Sequence, residues 1–342
     1  MHSECLFYWV FHTFCRRRKL PIIGMKIAIV GCGALGSYYG GKLCRDNRDV
    51  HFLLRSDYEV VRRRGVTIHS KEGDFNVRPK CARTPDEIGP CEFVLIGLKT
   101  TANEQFPKLL PPLVGPRTAV LTLQNGLGNE EALGKLFSPE QIIGGLAFVC
   151  LNRTAPGVVQ HIDHGHIVIG EFQRWPEPRT HDIATMFRHA GVPCSVTENL
   201  ARSRWDKLTW NIPFNGLGVA SFAGYDAFAG EAPVRRSGDC LTTDKLLAHP
   251  RWSIVVRELM MEVINAARAL GHDLPDSLVE TQIQRTVTMG AYKPSTVLDF
   301  ENGLPLELNT LFLEPLRQAH EAGVAVPRLA SLCRVLSLLA GK

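Results

Sequence analysis

Three glycines, Gly31, Gly33 and Gly36, follow the apolar run Ile27 to Val30 in "IAIVGCGALGSYYGG" and open a segment, Ala34 to Asn47, that reads as a helix. Strand, glycine turn and helix in that order can hold a dinucleotide. The first glycine lets the chain leave the strand sharply, the second leaves room for a pyrophosphate, and the third lets the helix pack close to the strand. The helix N-terminus adds free N–H groups and a partial positive charge for the phosphates. Cys32, Ala34 and Leu35 lie inside the turn and would contribute through their backbone rather than their side chains. The second strand, "DVHFLLR", ends at Arg55. An acid at that place would bind the ribose 2′-hydroxyl of NAD, whereas an arginine can neutralise a 2′-phosphate, so the pattern predicts NADP. The alternative for Arg55 is a solvated strand-end charge paired with the nearby Asp57.

A second set of polar residues lies far along the chain. In "RSRWDKLTWNIPFNGLG", Lys207, Asn211 and Asn215 recur at intervals of four, which on a helix stacks an ammonium and two amides along one face. A solvated face would explain them equally well, but Trp205, Leu208, Trp210 and Ile212 among them make burial plausible. Pro213 removes one helical hydrogen bond, so Asn215 is expected beyond a kink. Further on, Ser295 after Pro294 reads as an N-cap and Glu307 after Pro305 as a first-turn acid, and local helix chemistry alone could account for both. Lys99 and Asn125 close the apolar blocks "FVLIGLK" (93–99) and "TAVLTLQNG" (118–126). In an open α/β sheet that is where ligands bind.

These residues need a scaffold of two parts, and 342 residues suffice for about two domains. Residues 25–197 alternate short apolar blocks with helical stretches, predicting an α/β domain with a Rossmann-type doubly wound sheet. "IIGGLAFVC", "GVVQHI", "HIVIGEF" and "CSVTE" read as separate short strands extending it, antiparallel in part. Residues 198–342 read as an all-helical domain, with 224–238 as an exposed loop. Residues 1–24 stand apart as a leader or extension, because "MKIAIVG" from Met25 is a natural start of the fold. Their apolar run from Cys5 to Cys15 is too short to span a bilayer, and the basic cluster follows it where a secretory signal has it first. Membrane attachment is therefore not expected.

Net charge is +5, but Arg16, Arg17, Arg18 and Lys19 against Glu4 put an excess of three in residues 1–24, leaving two for the rest. Without a basic helix or stripe this gives nucleic-acid binding no support. The ten cysteines show no C-x-x-C pair and no cluster with histidine at metal-ligand spacing, so no metal site is expected. They read as buried thiols of a reducing compartment, and a cytoplasmic location is expected. Pairing with a second copy of the chain, a homodimer, is open to the helical half.

From Met25 to about Leu339 the chain resembles the ketopantoate reductase (2-dehydropantoate 2-reductase) family. The resemblance rests on "MKIAIVGCGALGSYYGGKL", on Arg55 at the NADP-phosphate position, and on Lys99 in "GLKT". It also rests on Asn125 and Gly126 in "LQNGLGNEE", on the K-x-x-x-N-x-x-x-N pattern of Lys207, Asn211 and Asn215, on Ser295 and Glu307 twelve apart, and on "EAGVAVP" near the end. It implies NADPH-dependent reduction of a 2-oxo acid, ketopantoate, to pantoate for pantothenate and coenzyme A synthesis. Lys207 would be the general acid, held and polarised by Glu307. Ser295, Asn211, Asn215 and Asn125 would grip the substrate, and Lys99 and Asn125 would lie near the nicotinamide and its phosphates. The sequence departs from the family at Phe312 and Leu313, where an asparagine-glycine pair is usual, and in the long 224–238 segment. Both flank the substrate side, which keeps open a related reductase of another branched 2-oxo acid. An NADP-binding sensor without catalysis is the remaining alternative.

Overall fold

The computed structural model describes residues 24–341, so all but the last residue of the expected leader lies outside the described part. Ten strands form one mixed sheet: β1 (Lys26–Val30), β2 (Asp49–Leu53), β3 (Val66–Ser70), β4 (Phe75–Val77), β5 (Lys80–Ala82), β6 (Cys91–Ile96), β7 (Val114–Thr122), β8 (Ile142–Ala155), β9 (Val158–Glu171) and β10 (Cys194–Val196). Their order is β4-β3-β9-β8-β7-β6-β1-β2-β5, with β10 added along β9. From β8 to β5 every neighbouring pair is parallel. The sheet turns antiparallel at β8–β9 and at β3–β4. Residues alternate between the two faces of a strand. Ile27 and Ile29 of β1 pack with Tyr38, Tyr39 and Leu43 of the helix α1 (Ala34–Arg45), while Ala28 and Val30 pack with Phe106, Leu110 and Leu133 on the other side. Cover on both faces is why these strands read as unbroken apolar runs.

The glycine turn joins β1 to α1 as expected. Gly31 has φ +97°, and a side chain there would run into the backbone of Gly97 and Leu98. Gly31→Ala is therefore expected to lower the unfolding free energy by about 2 kcal/mol or more, read from urea melts.

"GVVQHI" and "HIVIGEF" are one strand, β9, rather than two. The polar residues between them stay in the ladder as a bulge, with His164 and Gly165 at φ 61° and 129° and the register against β8 shifting beside them.

The helical part gathers around the helices Leu200–Ala220, Pro250–Ala269 and Pro327–Leu339, whose inward residues form a separate core. The Leu200–Ala220 helix continues through Pro213, so Asn215 shares a helix with Lys207, and Ile212, Pro213 and Phe214 are buried. Three sequence expectations change here. The 224–238 segment is not all loop, because Tyr225–Ala229 is a short helix with Phe228 packed edge-on against Trp252, ring centroids 5.3 Å apart. Pro294, not Ser295, takes the N-cap place of the helix Ser295–Glu301. Glu307 lies just ahead of a π-helical turn, Asn309–Leu313, rather than in the first turn of an α-helix. In that turn Phe312 is fully buried against Gly216, where a side chain would come within 2.9 Å of its ring, so the bulk of Phe312 is taken up by the helical core.

Candidate active site

The glycine turn suits a pyrophosphate. Nothing lies within 4 Å of where a side chain on Gly33 would be, and no side chain caps the N-terminus of α1 that starts beside it. Gly36 sits so close to the Gly31 carbonyl that any side chain would overlap it, which holds the helix against the turn. The Cys32 thiol points at the carbonyls of Ile29 and Leu53, both at 3.5 Å, and burial raises its pKa well above the usual value, so it is an inert packing group. Arg55 is exposed, two residues past the end of β2, which pairs with β1. Its expected alternative partner is committed elsewhere: Asp57 accepts from Arg153 Nε at 3.1 Å, from Ser56 and from the Gly157 amide. Arg55 has no carboxylate partner among the described residues.

On the other side, the Leu200–Ala220 helix brings Lys207 to the end of the sheet. Its Nζ donates to Asn125 Oδ1 at 2.9 Å and to the Ala147 carbonyl at 2.7 Å, and lies 5.1 Å from the centre of the Phe148 ring. Withdrawal from water, then the nearby Arg204, pull its pKa from the usual lysine range down to about 7, with Glu307 acting in the opposite direction. An ammonium with that proton affinity can hold a proton or release it at neutral pH.

Asn125 and Gly126 form the junction of the two parts. Gly126 has φ +83°, and a side chain there would overlap Thr310, whose carbonyl accepts the Leu127 amide at 2.9 Å. This close crossing explains the Asn-Gly pair: the glycine admits the helical part, and the asparagine meets Lys207.

Glu307 is not in contact with Lys207. Its carboxylate accepts the Thr100 backbone N–H at 2.8 Å and faces Lys99 Nζ at 3.6 Å, because the segment before the π-helical turn is drawn onto the loop after β6. Lys99 donates to Asp299 at 2.7 Å, and although burial opposes it, Glu307 and Asp299 lift the pKa of Lys99. Glu307 therefore reaches Lys207 through its charge alone.

The remaining predicted residues divide. Asn215 is committed to structure, accepting the Thr296 amide at 3.2 Å and so holding the start of the helix that carries Ser295. The side chains of Asn211, largely buried, and Ser295, an exposed residue, have no hydrogen-bond partner among the described residues and are free to take one from a ligand.

Sequence reasoning missed Asp299, Thr100 and the Ala147 carbonyl. Asp299 stands four residues after Ser295 on one helix, a spacing that could have found it. Thr100 and Ala147 act through backbone groups, for which side-chain type gives no signal.

Residues 27–174 match the family described as "Ketopantoate reductase PanE/ApbA", and residues 232–340 match "Ketopantoate reductase PanE/ApbA C terminal". The chain is 39% identical over 324 residues to the 2-dehydropantoate 2-reductase of Nostoc sp., covering 93% of this chain and 96% of that one. It superimposes on the crystal structure of 2-dehydropantoate 2-reductase from Geobacter metallireducens with a TM-score of 0.83 and 45% identity, over 92% of this chain and 99% of that one. The corresponding structure from Methylococcus capsulatus gives 0.82 and 32%, over 92% and 96%. The turn, the junction and the extent of these matches agree, and the chain belongs to the ketopantoate reductase family.

Proposed function

We propose that this chain reduces the ketone of 2-dehydropantoate to the alcohol of pantoate with NADPH, and that Lys207 donates the proton. The observation that carries this reading is the Lys207 ammonium, drawn to a pKa of about 7 and fixed by Asn125 and Ala147 where the strand ends meet the helical part. A nicotinamide held at the glycine turn would supply the hydride that the ketone carbon takes up. As negative charge grows on the ketone oxygen, Lys207 both stabilises it and hands over a proton, and the neutral amine left behind is tolerated because the site is partly withdrawn from water. The charge of Glu307 favours the protonated form of Lys207 against burial and Arg204. The free Asn211 amide and Ser295 hydroxyl suit the carboxylate and hydroxyl of a 2-oxo acid. Pantoate formation would serve pantothenate synthesis, as the family implies.

Arg55 supports NADPH over NADH, since an exposed guanidinium just past β2, with no carboxylate partner among the described residues, suits a 2′-phosphate. Arg55→Ala is expected to weaken NADPH binding about tenfold or more and NADH binding by less than about twofold. Equal losses in a fluorescence titration would remove this role.

The test of the whole reading is NADPH absorbance followed with 2-dehydropantoate, with NADH and two other branched 2-oxo acids in parallel. Preferential, NADPH-dependent loss of 2-dehydropantoate is expected. Faster turnover of another branched acid would overturn the substrate, and tight NADPH binding with no turnover of any would overturn catalysis.

A further inference from the structure

One helical turn before Lys207, Arg204 forms a buried ion pair with Glu130 of the helix Asn129–Gly134, and no step above uses it. Their side chains are 5% and 6% exposed. The guanidinium donates to the Glu130 carboxylate and, at 2.7 Å, to the Gln124 carbonyl. Its Nε is buried without a partner among the described residues. Gln124 precedes Asn125 and begins a closed ring of amides. Its Nε2 donates to Asn103 at 2.8 Å, Asn103 to Asn129 at 2.9 Å, and Asn129 back to the Asn125 carbonyl at 2.9 Å. Arg204 thus ties the loop that carries Asn125 to the helix that carries Lys207.

A buried ion pair stabilises a fold poorly compared with apolar side chains of the same volume, and an unsatisfied Nε makes this one poorer still. What such a pair does supply is register and a local charge. We propose that Arg204 and Glu130 are a positioning pair for Lys207: the guanidinium holds the Lys207 helix in register with Asn125 and places a positive charge, cancelled only in part by Glu130, one helical turn from the ammonium. That charge makes the ammonium readier to give up its proton.

The other groups around Lys207 leave room for this effect. On its own helix, Asp206 turns away to Gln282 at 3.4 Å. The loop after β7 and strand β8 offer only the neutral Asn125 amide, the Ala147 carbonyl and the Phe148 ring. From β9, His166 stacks on Phe148 with centroids 4.5 Å apart, and burial, His164 and Lys207 hold it toward its neutral form. Glu307 is the carboxylate that opposes Arg204 at Lys207. Beside the pair itself, burial pushes the Glu131 carboxyl up toward protonation.

The inference deepens the proposed function and rests on Lys207 as the proton donor, so its test needs a readout that does not depend on turnover. Lys207 would be titrated from pH 5 to 11 by competitive acetylation with acetic anhydride and peptide mass spectrometry, in the full chain, in Glu130→Gln and in Arg204→Met/Glu130→Gln. Glu130→Gln unmasks the guanidinium and is expected to lower the midpoint of Lys207 by about one pH unit. The double variant removes that charge and should raise the midpoint above that of the unmodified chain. It also leaves no unpaired buried charge, so it carries the comparison if Glu130→Gln does not fold. The pH above which kcat/KM falls should move with the midpoint in each protein. One common midpoint in all the folded proteins would overturn the proposal, whatever their activities. Shifts in the expected directions without reduction of any ketone would uphold the charge effect and count against the reductase reading instead.

Discussion

Lys207→Met is expected to lower kcat by about 10²- to 10⁴-fold, the usual worth of a positioned general acid, while the dissociation constant for NADPH changes by less than about twofold. Methionine keeps the length and apolar stem of the side chain and removes only the ammonium. The ammonium bonds to Asn125 and Ala147 and makes no hydrogen bond to the glycine turn or Arg55, so the expected pyrophosphate and 2′-phosphate contacts are untouched. Single-turnover kinetics and a fluorescence titration separate the two quantities, and a variant that kept its kcat would remove Lys207 from the mechanism. The same substitution should stabilise the fold in a pH-dependent way. The folded chain holds the Lys207 proton with a pKa of about 7, below that of an unfolded lysine at about 10.4, so the unfolded chain binds the proton more tightly. That penalty is complete below about pH 7 and fades as pH rises from there toward the unfolded value. The gain in urea midpoint of Lys207→Met is therefore expected to be larger at pH 6 than at pH 9, offset in part by the hydrogen bonds it gives up.

Glu307→Gln should produce the second largest loss, about 10-fold to 10²-fold in kcat/KM at pH 8 and less at pH 6. The amide keeps the shape and can still accept the Thr100 N–H, but the negative charge that lifts the proton affinity of Lys207 is gone. Lys207 then loses its proton at lower pH, and acidification restores the active form. Because no direct contact joins Glu307 to Lys207, the account requires this recovery at low pH. A loss of equal size at pH 6 and pH 8 would mean that Glu307 acts by positioning the Lys99–Thr100 loop instead.

Much of this site could be read in the sequence because each residue type met a local physical requirement. The glycine turn could be read because steric need fixes glycine at Gly31 and Gly36 whatever the rest of the chain does. The stripe of Lys207, Asn211 and Asn215 could be read because helical spacing continues through Pro213. What could not be read depends on which distant segments meet. The direct partnership of Glu307 with Lys207, which the family resemblance suggested, gives way to one with Thr100 and Lys99, some two hundred residues away in sequence. Asn215 turned out to hold a helix end, and the bulge that fuses β9 into one strand hides behind polar residues that look like a turn. Phe312, where the chain departs from the family pattern, packs in the core against Gly216. In each of these cases the side chain was visible in the sequence and its neighbour was not.

The central claim is that Lys207 is the proton donor of a reductase, and the most direct measurement is the pH dependence of kcat/KM for 2-dehydropantoate at saturating NADPH, from pH 5 to 10. The account predicts a plateau at low pH and a single falling limb that sets in above about 7, tenfold per pH unit, as the ammonium is lost. Lys207→Met should lie about 10²- to 10⁴-fold below the plateau and show no limb. A rate that is flat through this range, or a limb that survives in Lys207→Met, would contradict it.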